Sequence, residues 1–357
     1  MKDKFVIKGA LCALAISAAF AATPTNFVQH NLVADTSGVA DKTDPNLVGG
    51  WGMSSSPTSP LWVSNVAGGT ATVYQSDGTV VALVVTIPPS ANGQAKQGTP
   101  TGQVWNGAGA GTFAVNGTAA SFIFCTIDGT IAAWNNGAGS SAVTMVDNGG
   151  KAAYLGLGIG TSAAGPTLYA ANFLTGNIDT FDQNFQPITV AGGFWDPDRD
   201  SDLLPTNIQR FGRRMYVTYG YSNGQGGFAT GPSTGMIEVF DVNGNLLQRL
   251  VPENDTLNVP WGMAVTGANF GQFSYALIVA NFGDGTIAAF DLNSGNYLGK
   301  MQDGQGNNIA IDGLWGLIWG NGGSGGAANT LYFAAAPSGG AHGLLGSLVP
   351  AADSRTP

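Results

Sequence analysis

Hydrophobic and polar positions in this chain fall in short runs rather than at helical spacing, and the runs repeat as a phrase. An apolar run ends on Asn or another small residue, a Gly-containing turn follows, and a second run closes on a turn residue. The phrase is clearest at Leu61–Asn65 with Val73–Gly78, at Leu168–Asn172 with Ile178–Asp182, and at Leu277–Asn281 with Ile287–Asp291. Six apolar cores align on this basis: Leu61–Asn65, Phe122–Thr126, Leu168–Asn172, Met215–Tyr219, Leu277–Asn281 and Leu331–Ala335. Subtracting their first residue numbers gives spacings of 61, 46, 47, 62 and 54 residues, so the variation belongs to loops. A recurring unit of roughly 50 residues made of short strands predicts sheets arranged around one axis. The expected fold is all-β, a six-bladed β-propeller of four-stranded antiparallel blades.

Other positions agree with that reading. A bulky residue followed by Gly precedes four of the cores, at Trp51-Gly52, Leu157-Gly158, Trp261-Gly262 and Trp315-Gly316. Gly at such a step lets inner strands approach closely near a narrow axis. Asp77-Gly78, Asp128-Gly129, Asn243-Gly244 and Asp284-Gly285 suit the positive φ of tight hairpin turns. The unit from Gln103 to Asn135 is the least regular. The last unit supplies only three strands, whereas Phe27–Ala34 is strand-like and lacks a local partner. It is expected to complete the last blade and close the ring, removing an open sheet edge. Long connections at Pro88–Pro100, Asp196–Pro205, Tyr221–Thr234 and Gly320–Asn329 are the places for function or mobility.

Composition narrows the class. Hydrophobic residues make up 44% and charged residues only 10%, with 55 Gly, which excludes global disorder and suits many tight turns. Of the acidic residues only Glu238 and Glu253 are Glu; the dominance of Asp favours turns over helices. Lys2, Lys4 and Lys8, the apolar Ala10–Phe20 and the small Ala19 and Ala21 read as a secretory signal cleaved near Ala21. The expected division is a signal peptide over 1–21, an N-terminal segment with the ring-closing strand over 22–46, a propeller over 47–350 and a tail over 351–357. Without 1–21 the formal charge moves from -9 to (13 − 3) − (22 − 1) = -11. Such an acidic product is a poor partner for nucleic acid. No second apolar span reaches membrane length, so a secreted or periplasmic monomer without membrane insertion is expected. Its partner would be a small molecule or an envelope protein. Cys125 is the one cysteine left, so no internal disulfide can form.

One family resemblance is specific. The string Asp44–Met53, with Asn207-Ile208-Gln209, Met215–Tyr219 and Asp312–Leu317, resembles a family of uncharacterised exported bacterial proteins. That family has relatives in giant viruses and some members with a PEP-CTERM sorting tail. The likeness runs from about Asn31 to Leu348 and implies a propeller and export, with no established activity. The chain departs from the family in ending without a sorting tail and in its more acidic 196–202 loop. More distantly, the blades look like those of NHL-repeat and gluconolactonase-like six-bladed proteins.

Candidate chemistry lies at the axis. Asn65, Asn172 and Asn281 hold matching positions at strand ends, with Asp128 and Tyr219 nearby in other blades. Matching positions converge in a propeller, so the three amides are expected to form a polar ring at one channel mouth, with His342 beside it as a lone base. In gluconolactonase-like propellers such a mouth holds a divalent cation, and Ca²⁺ is the one cofactor the pattern admits. The plainer reading is that each Asn satisfies backbone groups at its own turn. Asp196, Asp198 and Asp200 alternate like the start of a calcium loop, but the Gly and closing Glu of an EF-hand are missing, and a solvated acidic loop explains them equally. The G-x-S-x-G matches at Gly231–Gly235 and Gly322–Gly326 lack the strand-to-helix elbow that chemistry needs. Two His residues make a zinc centre or a Ser-His triad improbable. Trp105 and Trp195 are the tryptophans placed near long loops for sugar stacking. The balance favours a non-catalytic exported scaffold binding a ligand or partner at one face. The alternative is a metal-dependent hydrolase or lactonase with its cation at the channel mouth.

Overall fold

The computed structural model describes residues 25–93 and 95–351. The expected signal peptide over 1–21 and all but the first residue of the tail over 351–357 lie outside them.

Five sheets have four strands in simple up-and-down order. The second strands are the apolar cores found in the sequence; Leu61–Asn65 and Phe122–Thr126, for example, are buried at every position. Each inner strand packs against the inner strands of the blades on either side, so the six sheets close around one hub. The inner strands are Gly50–Ser54, Pro100–Trp105, Tyr154–Ser162, Leu203–Phe211, Pro260–Val265 and Leu314–Trp319, and they define blades 1 to 6. The architecture is a six-bladed β-propeller.

Ring closure falls on the expected segment. Phe27–Ala34 pairs antiparallel with Leu344–Pro350, from Phe27 opposite Pro350 to Ala34 opposite Leu344. Lys42–Thr43 adds a short parallel fifth strand outside it. The irregularity between Gln103 and Asn135 is an extra hairpin, Ala114–Val115 with Thr118–Ala119, inserted after the inner strand of blade 2. Helical structure among the described residues is limited to three single 3₁₀ turns.

The hub has a glycine waist. A β-bulge interrupts the pairing of every inner strand near its start. There Gly52, Gly102, Gly156, Gly262 and Gly316 each face the backbone of the next inner strand so closely that an added Cβ would collide with it. Only Gly fits such an approach. In blade 3 the step is therefore Leu155-Gly156, two residues before the expected Leu157-Gly158. Blade 4 carries Asn207 at this position.

Candidate functional site

In an antiparallel blade the start of the inner strand and the end of the second strand lie at the same end of the propeller. The three expected amides sit there, but the hydrogen bonds they make stay inside their own blades. Asn172 Oδ1 accepts from the Ala153 and Leu174 N–H groups, while its amide donates to Asp179. Asn281 Oδ1 accepts from Asn258 N–H, and its amide donates to Thr256 O and Thr286. Asn65 donates to Thr70 and Thr72. Its Oδ1 is buried without a partner.

The residue after each Asn faces the axis instead. Side chains on a strand alternate faces, so a reading one residue out puts the whole set on the wrong side. Val66, Phe173 and Phe282 join Trp51, Leu155, Trp261 and Trp315 in one apolar cluster. Trp315 is stacked between Trp51, with ring centroids 3.6 Å apart, and Phe282 at 3.9 Å. Trp261 meets both other tryptophans edge-on and donates its indole N–H to Leu155 O at 3.2 Å. The expected polar mouth is an aromatic plug.

The remaining expected residues are equally engaged. Asp128 accepts from Ser90 N–H at 2.6 Å and from the Thr99 hydroxyl at 2.9 Å, tying down the long 88–99 loop. Asp196 is buried and grips the Arg249 guanidinium with both oxygens. Asp198 contacts the same arginine at 3.3 Å, and Asp200 accepts from Tyr221. The acidic loop is thus a strap fastened to blade 4. Neither set fits Ca²⁺ as it stands, because a hard cation needs several free oxygens and at least one carboxylate. The reason is competition from protein donors. Among the described residues no group of three or more His, Cys, Asp or Glu is placed to hold a metal.

Tyr219 leads to a group that was not anticipated. It is buried, with the Arg199 guanidinium 4.4 Å over its ring and donating to its hydroxyl. Beside them lies Glu238, without solvent exposure, its Oε2 3.4 Å from Arg199 and its Oε1 lacking any hydrogen bond. Burial first, then the neighbouring Asp196 carboxylate, pushes the Glu238 carboxyl up to about 8. The Arg249 fork holds Asp196 well below the usual carboxylate range. His342 is half-exposed near the same end of the propeller, with Nδ1 2.8 Å from Asp35. Burial raises the Asp35 carboxyl, but the His342 and Gly343 hydrogen bonds outweigh it and hold the group below its ordinary value.

The opposite end of the hub is open. A cavity of about 240 Å³ runs down the axis there, between the second halves of the inner strands. Trp261 lines it and also belongs to the plug, so the plug forms its floor. Polar side chains on the wall tie blades together. Gln103 donates to Gly52 O and Ser64 of blade 1 and accepts from Ser54. Asn207 and Gln209 of blade 4 bond Trp261 O and Met263 N–H of blade 5. Arg210 stands at the rim with Trp105. Trp195, the other tryptophan singled out, is 66% exposed on the acidic strap.

No family model matches the chain. Uncharacterized protein R648 of Acanthamoeba polyphaga mimivirus is 31% identical over 303 residues, covering 82% of this chain and 74% of that protein. The chain belongs to the family of that viral protein. Uncharacterized protein L690 of the same virus is 29% identical over 335 residues, covering 89% of this chain and 84% of its own. These family members are viral, whereas the sequence resemblance pointed first to exported bacterial proteins. Among solved structures, a streptogramin B lyase overlaps 92% of this chain and 99% of its own at a TM-score of 0.53 and 10% identity. Virginiamycin B lyase from Staphylococcus aureus does so at 0.52 and 9%, over 91% of this chain and 99% of its own. At such identities the likeness establishes the propeller alone.

Two features of this family member escaped the sequence reading. The plug had a visible signal, since aromatic residues at matching positions converge as surely as amides do. The Glu238 group had none, because its partners come from a distant loop, which carries Asp196 and Arg199, and from the neighbouring strand, which carries Arg249.

Proposed function

We propose that this protein is an exported, non-catalytic propeller scaffold that takes a small ligand at the open end of its axial channel. The observation that carries this reading is the asymmetry of the hub. One end is sealed by stacked tryptophans, and the other opens into a walled cavity with a cation and an indole at its rim. Ligand sites are typically concave and largely apolar, with a few placed polar groups, and they sit in the mouths of closed β structures. Export rests on the charged-then-apolar pattern of residues 1–21.

The test is a fragment screen by ligand-observed NMR on the full chain and on Ile159→Trp. Ile159 is a partly exposed lining residue, so an indole there fills the cavity while the plug stays intact. Fragments of neutral, cationic and anionic type that bind the wild-type chain are expected to lose binding to the variant. Fragments that bind both alike, or none binding at all, would overturn the reading.

A further inference from the structure

We infer that the open end of the channel is built for a small monocarboxylate with an apolar tail, held by Arg210; this rests on the channel-end reading above. Three observations combine. The first concerns charge. The chain carries 22 acidic residues against 13 basic ones, yet none of the cavity's lining residues is Asp or Glu, and one is Arg210. The local sign is opposite to that of the protein as a whole.

The second is that Arg210 is unspent. Lys42, Arg199, Arg249 and Lys300 each have a carboxylate within 4.0 Å; Arg210 is one of several described cations that have none, and it is the one that lines the cavity. Its one protein hydrogen bond is a 3.3 Å contact from Nη1 to Gly212 O in the adjoining turn. A guanidinium carries five N–H donors in a planar fork that matches a carboxylate edge to edge. Its stem runs past Gly160 of blade 3, where the missing side chain leaves room for Cδ. The exposed fork stands at the rim with most of its donors facing no acceptor among the described residues.

The third is the polarity of the neighbouring groups. Gln209 accepts the Met263 N–H at 2.9 Å, which fixes its amide with Oε1 against the wall and leaves Nε2 as a donor without a protein partner. Gln103 and Asn207 are already used in bridging blades. What remains at the mouth is a guanidinium, an amide N–H and the Ser55 hydroxyl, all able to donate, which suits an acceptor-rich, anionic group. Deeper in, Leu157 and Leu317 line the way to the Trp261 floor, and they suit a hydrocarbon tail. The cavity's volume lies below the roughly 300 Å³ at which drug-sized sites begin, so the tail is short.

The experiment compares hexanoate with hexanamide, which share a tail and differ in charge, on the full chain at constant ionic strength. Trp105 and Trp261 line the cavity, so tryptophan fluorescence reports occupancy. Hexanoate is expected to bind about ten- to a hundredfold more tightly than hexanamide, as expected for a hydrogen bond to a charged group. Arg210→Gln should erase the preference, Arg210→Lys should keep part of it, and Arg213→Gln, one turn away, should keep it whole. Equal binding of the two probes, or a preference that survives Arg210→Gln, would overturn the inference while leaving the channel-end reading intact. Loss of the preference in Arg213→Gln would also overturn it, because diffuse surface charge would then be the cause. If neither probe changes the fluorescence, the carboxylate inference fails. The broader reading then stands or falls on the Ile159→Trp screen, which includes neutral and cationic fragments.

Discussion

The buried acid of blade 4 makes a prediction whose sign is unusual for a carboxylate. Glu238 has no exposed surface, and burial pushes it up to about 8 from an ordinary value near 4.5. Folded protein therefore keeps this proton over a pH range in which the unfolded chain has released it. Stability contributed by the group is fully present below the unfolded value and is lost as pH rises toward about 8. Each pH unit in that window is worth at most about 1.4 kcal/mol, so the loss from about pH 5 to about pH 8 approaches roughly 3 kcal/mol. Asp196 runs the other way, but its folded-state value is depressed by Arg249, so its contribution is lost only in stronger acid. Glu238→Gln presents a neutral amide where the protonated acid stood. It is expected to match wild type near pH 5 and to exceed it by about 3 kcal/mol near pH 8. Urea unfolding of both proteins at several pH values gives the difference directly, because everything the two chains share cancels between them. A wild-type-minus-variant difference that stays flat, or that rises with pH, would refute a buried, protonated Glu238.

Two further outcomes follow from the packing. Trp315→Ala removes the ring stacked between Trp51 and Phe282, costing about 4–6 kcal/mol from the lost side chain and its aromatic pairs. With about 0.7 kcal/mol/K of unfolding entropy for a chain of this size, calorimetry should show Tm falling by about 6–9 °C; a drop under about 2 °C would mean the plug is not packed as described. Cys125 is fully buried, and burial pushes its thiol up to about 12, so it should ignore an aromatic disulfide reagent in native buffer and react at once in denaturant. Rapid native labelling would show that blade 2 opens.

The blades were legible because their second strands are buried on both faces and read as unbroken apolar runs, whatever the loops between them do. The ring-closing role of Phe27–Ala34 was legible for a different reason. The last unit ran out of strands, and one strand-like segment at the other end of the chain had no neighbour. The axial mouth was misread because the alternation of faces had to be counted through an irregular turn. Asn172 and Asn281 are buried within their blades and cap local N–H groups, so the plainer reading of those residues describes them. Phe173 and Phe282, one step on, carry the side chains that reach the hub. The β-bulges hid the waist in the same way, shifting the glycine step in blade 3 from Gly158 to Gly156. Glu238 was illegible in principle from one sequence. Its environment is assembled from Asp196 and Arg199 on a loop and Arg249 on a strand, and no local pattern announces that meeting.

Departures from the repeat point to where this propeller has been specialised. Five blades place Gly at the waist, and blade 4 places Asn207, whose side chain crowds Gly156 and bonds the Trp261 carbonyl. The same blade carries Arg210 at the open rim and Glu238 in its interior, and it receives the acidic strap through Arg249 and Tyr219. A repeat that only had to close a ring would gain nothing from a buried carboxyl, an unpaired guanidinium and a branched side chain in one blade out of six. The buried carboxyl, with one oxygen lacking a hydrogen bond, costs stability outright. Structure that costs stability and recurs nowhere else in the ring is retained for something other than folding. Both the cavity's cation and the strap's anchor trace to this blade, so the open channel end and the strap at the sealed end are joined through a single sheet. Substitutions within Leu203–Val251 therefore test function more sharply than equivalent changes in any other blade.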